Sequence, residues 1–135
     1  MLTLRGLKVG LLLFLIVIAN GERVAANDDW VKFGSNSSQT SFLNFKTEVW
    51  EGNDIVSVWE LNNLKKQGEF GQFSELTYWT FNCVKRSYVF RQIMQYDEKF
   101  AQGNQLSSAS FPNREFKYPK PGSIADALMR FMCKL

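Results

Sequence analysis

Histidine is absent from this 135-residue chain. The commonest general base is therefore missing, and neither a Ser-His nor a Cys-His nucleophile pair can be assembled. Cysteine is nearly as scarce: Cys83 and Cys133 stand alone. They are too far apart for a CxxC redox motif and, without histidine, too few for a zinc site. Carboxylates are present, but their adjacent pairs do not converge. Asp28-Asp29 stands near the N-terminal end of the prospective domain, and Asp97-Glu98 follows an extended run in which neighbouring side chains point to opposite faces. Gly68 and Gly71 flank Glu69-Phe70 with no helix pattern behind them, which excludes a phosphate-cradling loop. The expectation is a protein with no catalytic set, no metal and no cofactor.

Charge of one sign is also in short supply. The formal net charge is +3, and much of that excess sits in the first residues. Arg5 and Lys8 make a positive n-region, Leu11 to Ala19 an apolar h-region, and Val24-Ala25-Ala26 a small-residue cleavage site ahead of Asn27. Residues 1–26 are accordingly expected to be a signal peptide. The apolar run is far shorter than the roughly 20 residues a spanning helix needs, and no cysteine near the cleavage point offers a lipid anchor. Cleavage removes Arg5, Lys8 and Arg23 but only Glu22, so the exported chain is nearly neutral. Nucleic-acid binding, which wants a clustered basic face, is set aside. The chain is expected in the periplasm, at the cell surface or secreted, with no stable membrane anchor after cleavage. The sequon Asn36-Ser37-Ser38 would matter only in a eukaryotic secretory pathway.

Residues 27–135 have the usual size of one domain, and no Pro-rich linker, long charge run or internal repeat divides them. Aromatic residues are plentiful, with 12 Phe, 4 Trp and 4 Tyr in the chain; each ring can bury about 150–250 Å². An even pair of cysteines in an exported chain favours a Cys83–Cys133 disulfide, the alternative being free or intermolecular thiols. Closing a loop of about 50 residues is worth roughly 4 kcal/mol in the chain-entropy model.

Strand signals dominate. Trp30 to Phe33, Thr40 to Phe45 and Asp54 to Leu61 are rich in β-branched and aromatic residues, with Ser35 to Ser41 and Glu51-Gly52-Asn53 as turns. A polar connection follows from Asn62 to Gly71. Ser74 to Cys83 and Ser87 to Tyr96 predict a long antiparallel pair turning at Val84 to Arg86. Alternation places Thr77, Trp79, Phe81 and Cys83 on one side, and Tyr88, Phe90, Met94 and Tyr96 on a shared face with Gln92 as the exception. A short strand is expected over Asn104 to Ser110. Trp50, Trp59 and Trp79 read as core. Beyond Pro119-Lys120-Pro121-Gly122 the period changes. Ser123 is placed as N-cap with Asp126 three residues on, and Asp126, Arg130 and Lys134 form a narrow polar stripe. Ile124, Leu128, Met129, Phe131 and Met132 fill the remaining face. The fold class is α+β: an antiparallel sheet of five to six strands, a C-terminal helix packed on one face, and one disulfide.

The order of a Trp-led first strand, Phe42-Leu43-Asn44, Val56-Ser57-Val58-Trp59, Phe81-Asn82-Cys83, Pro121-Gly122-Ser123 and a final helix bearing Cys133 resembles the surface-adhesin protein E family. The resemblance covers essentially all of residues 27–135. It implies a bacterial envelope protein, and in the founding type an adhesin for host extracellular-matrix and plasma proteins. The adhesive stretch of that type corresponds to Phe73 to Gln92, whose basic residues Lys85, Arg86 and Arg91 become candidate partner-binding residues. Three departures set this chain apart: no lipid-anchoring cysteine, Asn44 where the family often has Asp, and Glu69 and Glu75 in a segment expected to be more basic.

Physically, Lys85 and Arg86 in a hairpin turn are most often just a solvated tip. Phe116 and Tyr118, beside Lys117 and Lys120, make a candidate mixed aromatic and basic contact surface. Two functions are carried forward: an adhesin-like binding module, and a periplasmic structural or inhibitor protein presenting the loop Asn62 to Gly71 to an enzyme cleft. Pairing of two copies through exposed sheet edges is also expected. Mass analysis of the exported chain under non-reducing conditions should give a single species beginning at Asn27 and lacking two thiol hydrogens; two titratable thiols would dismiss the bridge.

Overall fold

β-branched and aromatic residues recurring at alternate positions turn most of the chain into strand. The computed structural model describes residues 29–135, and the segment read as a signal peptide, 1–26, lies outside the described residues. Six strands follow one another, β1 (Val31–Ser35), β2 (Gln39–Glu51), β3 (Ile55–Leu64), β4 (Ser74–Asn82), β5 (Ser87–Tyr96) and β6 (Gln105–Ser110). Each pairs antiparallel with its sequence neighbour, in the order β1-β2-β3-β4-β5-β6. A 3-10 turn (Lys99–Ala101) separates β5 from β6, and one helix, α1 (Ile124–Met132), closes the described chain.

Several expected boundaries shift. Asn62 and Asn63 belong to β3 and are buried at 6% and 7% exposure, so the β3–β4 connection starts at Lys65 rather than Asn62. Both amides are partnered: Asn62 Oδ1 accepts from Ser41 Oγ of β2 at 2.5 Å, and Asn63 Oδ1 from the Phe100 amide of the 3-10 turn at 2.8 Å. Cys83 falls just past β4, in the turn. The face assignment in β5 also changes. Trp79 pairs with Phe90 but Tyr78 pairs with Gln92, leaving Arg91 as an extra residue. This β-bulge reverses the alternation, so Tyr88 and Phe90 share a face with Ile93, while Met94 and Tyr96 go to the other side. Gln92, the apparent exception, is the first residue after the reversal. Trp50 is 39% exposed and its Nε1 donates to Glu48 Oε1, so it is not a core residue.

Register places Leu43, Val58, Trp79 and Phe90 on one face of the sheet, together with Val56, Phe81 and Tyr88. Leu43, Val56, Val58 and Phe81 form a single buried cluster with Leu128, Met129 and Met132 of α1. Burial of such a side chain contributes about 1.5–3 kcal/mol. Phe131, though half exposed, meets Phe33 edge-on at 5.2 Å between ring centroids. The helix start is as expected: Ser123 Oγ accepts from the Asp126 amide, while Asp126 Oδ2 accepts from the Gly122 amide and Oδ1 from Arg130 Nε. On the opposite face, Leu61 is fully buried, Trp59 packs on Tyr78 at 4.9 Å, and Phe100 of the 3-10 turn reaches Phe42 at 5.2 Å.

Cys83 and Cys133 are bonded, with Cα atoms 5.4 Å apart and 50 residues between them in sequence. The helix end is thereby sewn to the β4–β5 turn. Replacing both cysteines by serine should lower the unfolding free energy by about 4 kcal/mol, read as a fall in the urea midpoint; an unchanged midpoint would remove the bridge from the stability account.

Candidate functional site

The β4–β5 hairpin presents the most exposed cations of the expected adhesive stretch. Asn82 Oδ1 accepts from the Lys85 amide at 3.0 Å, shaping the turn, and Arg86 takes a left-handed φ of 53° to close it. A non-glycine residue in that region is uncommon and is held there by its surroundings. Those surroundings are on both flanks: Cys83 is locked by the disulfide and donates its amide to the Asp54 carbonyl, while Ser87 is buried. Val84 is 69% exposed, and Lys85 and Arg86 extend into solvent beside it. The tip is thus a charged projection on a covalently fixed base.

Arg91 does something different from Lys85 and Arg86. As the bulged residue of β5 it turns towards the sheet edge, where its Nη1 donates to the carbonyls of Phe111 (3.4 Å), Pro112 (3.0 Å) and Arg114 (2.8 Å). Its guanidinium also lies 5.5 Å from the Phe116 ring centre. Arg114 is held between two rings, 4.1 Å from Phe90 and 4.0 Å from Phe111. Segment 111–117 is thereby laid along the outer edge of β5, and Lys117 and Tyr88 exchange two backbone hydrogen bonds of 2.8 Å. The candidate residues consequently split into a tip pair, Lys85 and Arg86, and an edge anchor, Arg91. Sequence reasoning placed Phe116, Lys117, Tyr118 and Lys120 together, but not beside β5. Isolated bridge pairing around two prolines leaves no strand period to detect.

The loop between β3 and β4, the candidate inhibitory segment, is braced from within. Gly68 donates its amide to the Gln72 carbonyl, Gln72 Oε1 accepts from the Phe70 amide, and Gln72 is 7% exposed. Phe70 projects at 71% exposure. With Leu106, Gln95 and Ser107 it borders a shallow cleft.

The family described as surface-adhesin protein E matches residues 30–134. The chain belongs to this family. Solved structures of Haemophilus influenzae protein E share the fold. One superposes with a TM-score of 0.59 at 16% identity, covering 78% of this chain and 87% of the other. A second gives 0.58 at 16% identity with 78% and 84% covered, and a protein E from a non-typeable strain gives 0.57 at 16% identity with 78% and 76% covered. No curated protein matches the sequence. Among the described residues no helix is long and apolar enough to cross a membrane.

A carboxyl is buried within the sheet. Glu60 on β3 is 1% exposed; its Oε1 accepts from Trp79 Nε1 at 2.9 Å and Asn62 Nδ2 at 3.0 Å, while Oε2 is buried without a hydrogen-bond partner. Burial raises its pKa above the ordinary 4.5; the hydrogen bonds from Trp79 and Asn62 oppose the rise, and the charge of Glu75 adds to it. The native state therefore binds the proton more tightly than the unfolded chain. Stability falls as pH climbs from 4.5 through the native pKa. Glu60→Gln, which cannot ionise, should flatten this decline, so that melting temperature changes less between pH 4 and pH 7.5 than in the native protein. Parallel pH profiles of melting temperature for the two proteins would refute the assignment.

Proposed function

We propose that the protein is an exported, non-enzymatic binding module of the bacterial envelope, contacting a protein partner, a host extracellular-matrix protein in the first instance, through the tip of the β4–β5 hairpin. The observation that carries this reading is the exposed Lys85-Arg86 pair on a base fixed by the Cys83–Cys133 bridge. A recognition element of this kind loses little conformational entropy on binding, because its backbone is already ordered. Family membership supports the same conclusion. The helix seated on the Val56, Val58 and Phe81 face backs the hairpin base, and Arg91 orders the neighbouring edge rather than touching the partner itself. Residues 1–26 act as the export signal and leave residues 27–135 as one domain without a lipid anchor.

Two copies could pair through β6, whose six residues are all exposed. The alternative is a periplasmic structural or inhibitor protein without adhesin activity, and one observation favours keeping it: the internally braced loop that projects Phe70. Localisation separates the two. Surface labelling of intact cells supports the adhesin, whereas release by osmotic shock alone, with inhibition of an envelope hydrolase, supports the inhibitor. For the adhesin, pull-down with immobilised matrix proteins should retain the native chain and lose at least about tenfold in affinity, roughly 1.4 kcal/mol, in the double variant K85E/R86E. Equal retention of both proteins, or of neither, would reject the hairpin tip as the contact.

A further inference from the structure

Charge is unevenly distributed along the chain. From Leu76 to Tyr96 there is no acidic residue, and from Asn104 to Ala125 there is only Glu115. These two stretches lie edge to edge, joined by the β5–β6 pairing, by the Phe111 amide on the Arg91 carbonyl, and by the paired bonds of Tyr88 with Lys117. One border of the sheet thus carries Lys85, Arg86, Arg91, Arg114, Lys117 and Lys120. None of these six is in an ion pair among the described residues, whose two salt bridges are Lys46–Asp29 and Arg130–Asp126.

We propose that this border binds a linear sulfated polysaccharide. The reading extends the proposed function to a second class of ligand and shares with it the hairpin-tip cations. Three features select the ligand. The cations follow an extended backbone instead of surrounding a pocket: at about 3.3 Å per residue, Arg86 to Arg91 alone covers roughly 16 Å. That suits a rod of repeating anionic groups rather than a single phosphate or carboxylate. Tyr118, 76% exposed, and Phe116, 37% exposed with the Arg91 guanidinium 5.5 Å from its ring centre, flank the bridged Lys117 and supply aromatic surface for apolar sugar faces beside the cations. The ring faces of Phe90 and Phe111 are already occupied by Arg114, so along this segment a cation stands where two aromatic faces would otherwise be open. Arg91 and Arg114 are held in place and act as a standing positive potential, while the exposed lysines make the direct contacts.

The test uses the exported chain and immobilised heparin. The native protein should be retained at 0.15 M NaCl (about the physiological ionic strength at which the screening length is ~8 Å) and elute at higher salt. K117E/K120E should weaken binding by at least about tenfold. The control K65E/K66E makes the same change of net charge on the β3–β4 loop, at the other end of the sheet, and should change affinity less than about threefold. Melting curves establish that both variants fold; if the glutamates destabilise the edge, the neutral pair K117Q/K120Q takes their place with the same expected direction. No retention of the native protein, an equal loss in the loop control, or equally tight binding of a single-stranded oligonucleotide or a polyglutamate peptide of matched charge would overturn the proposal. Lys117 and Lys120 lie outside the hairpin tip, so failure of the matrix-protein pull-down would not alter this outcome.

Discussion

The bond between Cys83 and Cys133 is the constraint around which the other contacts are organised. A helix of nine residues is too short to persist alone in water, and α1 holds its shape because one end is capped by Ser123 and the other is tied to the sheet. The same bond fixes the base of the β4–β5 turn, so the buried cluster beneath the helix and the exposed tip beyond it share one covalent support. Leu128, Met129 and Met132 can be packed against Val56, Val58 and Phe81 with little entropy left to lose. The left-handed Arg86 is tolerated for a related reason, since the chain on either side of it is already immobile.

A single inserted residue governs the other functional edge. The bulge at Arg91 interrupts the β4–β5 ladder and turns a long cationic side chain outwards. There it collects three carbonyl oxygens that an irregular segment would otherwise leave to solvent. Charge-assisted bonds of this type are stronger than neutral ones, and the two ring contacts of Arg114 reinforce the same segment. Basic residues that look alike in sequence thus do different work: some order the chain, others remain available at its surface.

Much of the architecture was legible in the sequence because its signals are local. Alternation in Val56 to Trp59 and Thr77 to Phe81, the Ser123 cap and the two cysteines each state their structure within a few residues. What escaped was set by contacts distant in sequence. Asn62 and Asn63 look like loop residues because their amides are polar, yet Ser41 of β2 and Phe100 of the 3-10 turn partner those amides. The β5 faces were misassigned because one bulged residue inverts a period of two, and Gln92 was the visible trace of it. Alternation from Val56 and Val58 puts Glu60 on the buried face, but only the partners Trp79 and Asn62 explain how a carboxyl is accommodated there. Of the candidate site, the hairpin tip was visible as a turn, whereas the segment beside β5 was not, because isolated backbone pairing has no residue pattern of its own.

The strand order has a consequence for assembly. Every strand is hydrogen-bonded to the one made just before it, so each new hairpin can close on an existing edge without waiting for distant sequence, a favourable arrangement for a β-rich chain. Cys133, by contrast, lies downstream of all six strands. The bridge can close only after all six strands have been made, so it latches a meander whose strand pairings need no residue beyond Ser110.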